Sequence, residues 1–218
     1  MKYKITFFII CIITFSSIIL SSCINIKSDY PEITYFELSV PKTDKSKNKI
    51  HNTLMIRDFK APFLSSPRVF MVENASGESE KLFYYRWANN FDVLFNGVLL
   101  NYLSNSEAFL GGVVTASSSL IPAYTLEGEI TNLHIYNDKE KNKSYAELSI
   151  KVNLLGYTPN DSIQFQLFYT NVYNKRVMRE TSDPTTIAPA VNKAVSEICS
   201  EMLTDITDAI LKREKITN

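Results

Sequence analysis

The sequence predicts an α+β domain, an antiparallel sheet with two amphipathic helices packed on one face, and three patterns carry that expectation. Between residues 146 and 154, Ala146, Leu148, Ile150, Val152 and Leu154 alternate with Glu147, Ser149, Lys151 and Asn153, the period of a strand with one buried and one wet face. Phe91, Leu94, Phe95, Val98, Leu99, Tyr102 and Leu103 recur at spacings of three and four, the mark of an amphipathic helix of about 16 residues. Val191, Val195, Ile198, Met202, Ile206 and Ile210 form a second stripe, opposite Asn192, Lys193, Glu197 and Asp205. The strands come in runs and do not alternate with helices, so a doubly wound parallel sheet is not expected.

The remaining elements follow along the chain. Residues 33–40, ITYFELSV, are aromatic and β-branched and read as a strand, whereas 41–49, PKTDKSKNK, hold no large apolar side chain and read as a loop. A second strand is expected at about Asn52 to Phe59. Arg68 to Glu73 and Lys81 to Tyr85 read as a hairpin turning at Asn74-Ala75-Ser76-Gly77. Gly111-Gly112 and the serines at 117–119 return the chain to the sheet. Leu126 to Tyr136 reads as a strand whose alternation slips between Ile130 and Leu133, the signature of a bulge, with residues 137–144 as its charged tip. After a turn at 157–161, Ile163, Phe165, Leu167 and Tyr169 alternate with polar residues and supply the partner strand. The last helix starts near Thr186 to Pro189.

The N-terminus carries a different signal. Lys2 and Lys4 precede a short apolar run, Ile5 to Leu20, dotted with serine and shorter than an ordinary membrane span. It ends in Leu20-Ser21-Ser22-Cys23, which resembles a bacterial lipobox, two small residues before a cysteine. Residues 1–22 then read as a lipoprotein signal peptide cut between Ser22 and Cys23, with Cys23 acylated and residues 23–32 a lipidated stalk. Two acyl chains hold a protein stably to a bilayer, at about 0.8 kcal/mol per buried methylene. Ile24, in the place of an aspartate, points to the outer membrane with the domain facing the periplasm; the inner membrane is the lesser expectation.

Cleavage before Cys23 takes 22 of the 218 residues and leaves 196, room for one domain with a real core. The mature part holds 21 basic against 23 acidic side chains, so it has no basic footprint for nucleic acid. Of three cysteines, Cys11 leaves with the signal and Cys23 takes the lipid. Cys199 stands alone, and it reads as a half-buried apolar residue within the last helix.

Little in the mature chain points to catalysis. It has no phosphate loop, no metal-spaced Cys/His set and no nucleophile elbow, and no cofactor is expected. His51 and His134 lack partner ligands in the sequence, and Ser117, Ser118 and Ser119 read as loop residues. Arg86-Trp87-Ala88, containing the only tryptophan, falls where strand gives way to helix. Two readings stand: Trp87 as a core plug with its indole N–H on a loop carbonyl, or Tyr84, Tyr85, Arg86 and Trp87 as the border of a partner-binding surface, since Trp, Tyr and Arg dominate binding hot spots.

The lipobox, the strand ending in Tyr84-Tyr85-Arg86-Trp87-Ala88 before a helix, Leu126-Glu127-Gly128-Glu129-Ile130 and the later Tyr145-Ala146-Glu147-Leu148 together resemble the ABC-type transport auxiliary lipoproteins, the paraquat-inducible protein C-like family. The resemblance runs over about residues 23–210, and residues 33–213 would be the auxiliary domain. Asn89 departs from the acidic residue common after Trp-Ala. The resemblance implies a non-enzymatic accessory of envelope transport. Its partners would be ABC transporter or mammalian-cell-entry (MCE) domain proteins that move lipids or hydrophobic compounds, and homo-oligomerisation is left open. The competing expectations are an envelope binding module unrelated to transport, such as an assembly factor or peptidoglycan-associated lipoprotein, and, less favoured, a serine hydrolase.

Overall fold

The computed structural model describes residues 31–217 except 65, 67, 139, 142 and 158–164. The signal segment, Cys23 and the stalk up to residue 30 therefore lie outside the described residues, as do most of the turn expected at 157–161 and the start of the strand expected at 163. In chain order the elements are β1 (Thr34–Phe36), β2 (Leu54–Ile56), β3 (Val69–Asn74), β4 (Ser79–Trp87), α1 (Phe91–Asn105), β5 (Val113–Thr115), β6 (Tyr124–Asp138), β7 (Lys143–Tyr157), β8 (Phe165–Arg179), a 3-10 turn (Pro184–Thr186) and α2 (Ile187–Thr217).

The trunk of the sheet is β6. One of its edges is taken along its whole length by antiparallel β7, which in turn pairs with antiparallel β8. Its other edge is divided. Tyr124 to Leu126 pair with parallel β2, Ile135 to Asn137 pair with parallel β3, and a Lys60–Glu129 bridge lies between. The sheet thus forks, with β5 parallel to β2 on one branch, and on the other β4 antiparallel to β3 with β1 parallel to β4.

The antiparallel sheet expected from the sequence is therefore corrected: the fold is α+β, but the sheet is mixed, and among the described residues four of the seven strand pairings are parallel. Alternating hydrophobicity reports which face of a strand is buried and says nothing about the direction of its neighbour. Parallel partners need a crossover, and here the connections through residues 37–53 and 57–68 and through α1 supply them.

Local chemistry explains why the elements form where they do. In the β3–β4 turn the Asn74 side-chain oxygen accepts from the backbone N–H of Ser76 and of Glu78, both at 3.0 Å, and Gly77 takes φ +83°, a conformation costly for a side chain. The slip in β6 falls between Ile130 and Asn132, where Thr131 is the extra residue and its hydroxyl donates to Ser149 O at 3.2 Å. β8 runs nine residues further than its pattern suggested, to Arg179, with Tyr173 and Val177 buried. The polar run Asn174-Lys175-Arg176 hid this half of the strand.

The core lies between the sheet and the two helices. All six residues of the α2 stripe are fully buried, as are Leu148, Ile150, Val152 and Leu154 of β7. The inner face of α1 adds Phe91, Phe95, Val98 and Leu99. Every described strand pairing falls after Ile33, so the body from Ile33 onward contains its own sheet and core.

Gly128 in β6 has a specific reason. Phe59, wholly buried and edge-on to Phe95 at 5.5 Å, lies directly over it, and a Cβ at this position would overlap both the Phe59 ring and the Lys151 carbonyl oxygen. Asn96 of α1 holds the Phe59 backbone in place, accepting from its N–H at 2.9 Å and donating to its carbonyl at 3.0 Å. Gly128→Ala should destabilise the fold by about 1–3 kcal/mol through overpacking, read as a lower denaturant midpoint. Gly77→Ala, with open space around its Cβ, should cost about 1 kcal/mol from φ alone.

Candidate functional site

The sequence run Phe83-Tyr84-Tyr85 places three aromatics in succession, and a regular strand can bury only every second one. The structure resolves the conflict with a bulge. Val69 pairs with Arg86, but the next residue, Phe70, pairs with Leu82, leaving Phe83, Tyr84 and Tyr85 without partners on β3. Arg86 Nε donates to Phe83 O at 2.8 Å across the bulge. Phe83 and Tyr84 emerge 58% and 46% exposed.

Beyond the bulge the chain turns inward. Trp87 is 2% exposed and stands edge-on to Phe70 at 4.8 Å and tilted against Phe91, the first residue of α1, at 5.3 Å. Its backbone is clasped from both sides. Trp87 N–H donates to Arg68 O at 2.7 Å and Ala88 N–H to Phe36 O at 2.8 Å, while Arg68 Nη2 donates to Ala88 O at 2.7 Å. The same Arg68 guanidinium lies 5.9 Å from the centre of the Tyr35 ring. Tyr85 stacks on Phe36 at 6.4 Å and Phe36 packs on Phe70 at 5.3 Å, so aromatic contacts run unbroken from Tyr85 to the start of α1.

The four candidate residues therefore divide. Trp87 is a core plug, Tyr85 is half-buried against Phe36, Arg86 fastens the bulge, and only Tyr84 faces water as a contact surface requires. Its exposed company is Phe83 and, on β1, Tyr35 at 53% exposure, both of which the sequence reading missed. Three consecutive aromatics were the available signal for Phe83. Tyr35 was hidden because β1 and β4 meet only through tertiary pairing, Tyr35 opposite Arg86. Asn89, the departure from the family pattern, offers its side-chain oxygen to the N–H of Asn90 at 2.8 Å.

This surface offers ring faces and a strand edge, and among the described residues no acid, base or nucleophile set is assembled there. The other candidates do not assemble one. Ser117 shares a 2.8 Å hydrogen bond with Thr115 and Ser118 accepts from Leu120 N–H, both within their own turn. His134 lies 3.1 Å from a Glu73 carboxylate oxygen and edge-on to Tyr145, a pairing across strands that the sequence did not show. Among the described residues no group of three or more His, Cys, Asp or Glu side chains comes together as metal ligands would. Tyr169 and Tyr173 both donate to Asp205 of α2, at 2.8 and 2.9 Å, and burial raises both phenols above their ordinary range. Arg179 is 6% exposed and donates to Asn137 Oδ1, Thr186 Oγ1 and Asp183 O; burial pulls its guanidinium down to about 10. These groups join β8 to the neighbouring elements.

Neither a family model nor a curated protein matches the sequence. Among solved structures the fold is similar to that of protein XCC0632 from Xanthomonas campestris, of the family DUF330, with a TM-score of 0.69 at 14% identity, covering 84% of this chain and 99% of that one. A crystal structure of an uncharacterized protein matches with a TM-score of 0.58 at 15% identity, covering 80% and 99% of the two chains. The chain thus has a DUF330-like fold, and at these identities the likeness is one of fold.

Two predictions follow from this division. Trp87→Ala should cost about 3–5 kcal/mol of stability, whereas Tyr84→Ala, at an exposed position, should stay within about 0.5 kcal/mol; chemical denaturation followed by circular dichroism separates them. Burial pushes the Cys199 thiol up to about 12, so at pH 8 it is protonated and enclosed. It should be inert to a disulfide reagent in the folded protein and react stoichiometrically once guanidinium unfolds it.

Proposed function

We propose that the chain is a membrane-tethered, non-enzymatic accessory of an ABC- or MCE-type envelope transport system, working on lipids or other hydrophobic compounds. The observation that carries this reading is the DUF330-like fold over nearly all of the body. In this chain the Tyr85-Arg86-Trp87-Ala88 junction is the clasp between strand and helix. The sequence motifs resemble the ABC-type transport auxiliary lipoproteins, the group that DUF330 denotes.

The tether is Cys23, cleaved after Ser22 and acylated, with the body on the periplasmic side of the outer membrane. A tether restricts the body to a surface and raises its effective concentration near partners, so modest contacts suffice. The aromatic bulge, Phe83 and Tyr84 with Tyr35 beside them, is the contact surface for a transporter or MCE-domain component. Exposed aromatics on a pinned backbone lose little conformational freedom on binding.

A photocrosslinking residue at Tyr84 in cells should trap an MCE-domain or transporter subunit, and the same residue at Ser117 should not. Trapping of a peptidoglycan-bound or assembly protein would instead favour an envelope binding module unrelated to transport. For the tether, Cys23→Ala should leave uncleaved precursor on a gel and abolish incorporation of labelled palmitate.

A further inference from the structure

We infer that β8 is an interface at which two copies of this chain join their sheets edge to edge. β8 closes the sheet, and among the described residues its strand pairing is with β7, so no second strand lies along its other edge from Tyr169 to Arg179. An open edge of that length is a ready template for another strand. The other edges are short or guarded. β1 and β5 are three residues each, and the free part of β4 carries Glu80, Lys81 and the bulge. β8 has no proline, and after one slip beside Phe168 it runs in regular register from Tyr169 to Arg179. Along this stretch Val172 and Met178 are each 57% exposed.

The distribution of charge selects the occupant. Within Tyr169–Arg179 the cations are Lys175, Arg176 and Arg179, all in the second half, and the strand has no acidic residue. Two-fold symmetry reverses one copy against the other, so the cationic half of each strand meets the neutral half of its mate. Centred on Asn174, the midpoint of the regular stretch, this register sets Arg176 opposite Val172 of the second copy and Lys175 opposite Tyr173. No two cations face each other directly.

A foreign acidic strand has little to recognise here, because the cations already have partners. Lys175 is paired with Glu201, Arg176 with Glu147, and Arg179 is held by Asn137, Thr186 and the Asp183 carbonyl. What remains on offer is backbone and apolar surface, which a second copy matches. The interface is independent of the aromatic bulge and of the tether.

The test uses the body from Ile33 onward, observed by sedimentation equilibrium. The expected result is a reversible dimer whose dissociation constant rises at least roughly tenfold in Val172→Lys, a change at an exposed position that leaves the thermal midpoint in place. Asn174→Cys should be captured as a dimer by a short bismaleimide, both in solution and in the full chain in membranes, while Ser117→Cys should not. A monomer at every concentration, or a dimer that ignores Val172→Lys and gives no Asn174→Cys capture, overturns the proposal.

Discussion

A strand has two edges, and the fold depends on β6 filling one of them with a single partner and the other with two. Antiparallel β7 runs along one side for its full length, while β2 and β3 share the opposite side without touching each other's register. The gap between them is where Phe59 drops into the core, over the one position of β6 that lacks a side chain. If Gly128 carried a Cβ, Phe59 would have to move, and α1, which grips the Phe59 backbone through Asn96, would move with it. Packing at close-packed density transmits such a shift and does not absorb it.

Hydrophobic period is a local property, and local properties were legible. The α1 and α2 stripes, the β7 alternation and the slip in β6 are all visible in single stretches of sequence, because each follows from one element meeting one core. Strand direction was not legible. β2 and β5 are three-residue segments whose pairing partners lie far along the chain, and nothing within Leu54-Met55-Ile56 says that its neighbours run parallel. The second half of β8 escaped for another reason: Lys175 and Arg176 are neutralised by Glu201 and Glu147, on α2 and β7, so a polar run with no strand alternation is held in a strand.

The aromatic junction shows the same division. Arg86-Trp87-Ala88 announced a boundary between strand and helix, and Trp87 fills the core there. Of the exposed surface Tyr84 was among the sequence candidates, whereas Phe83 and Tyr35 come into view only through the bulge and the β1–β4 pairing. Exposed and buried rings thus lie within a few residues of each other on one strand, with Arg86 fastening the backbone between them. Changes to the buried ring and to the exposed rings test different links of the chain from sequence to activity.

The forked trunk also bears on how the protein is born. Synthesis runs from the N-terminus, and β2 and β3 leave the ribosome roughly sixty to seventy residues before the stretches of β6 that receive them. Until then Leu54, Ile56, Phe70 and Val72, all buried at the end, have no sheet to enter. The nascent chain therefore passes through a long interval as a sticky, unfinished polymer, and a holding chaperone is the natural guardian of that interval.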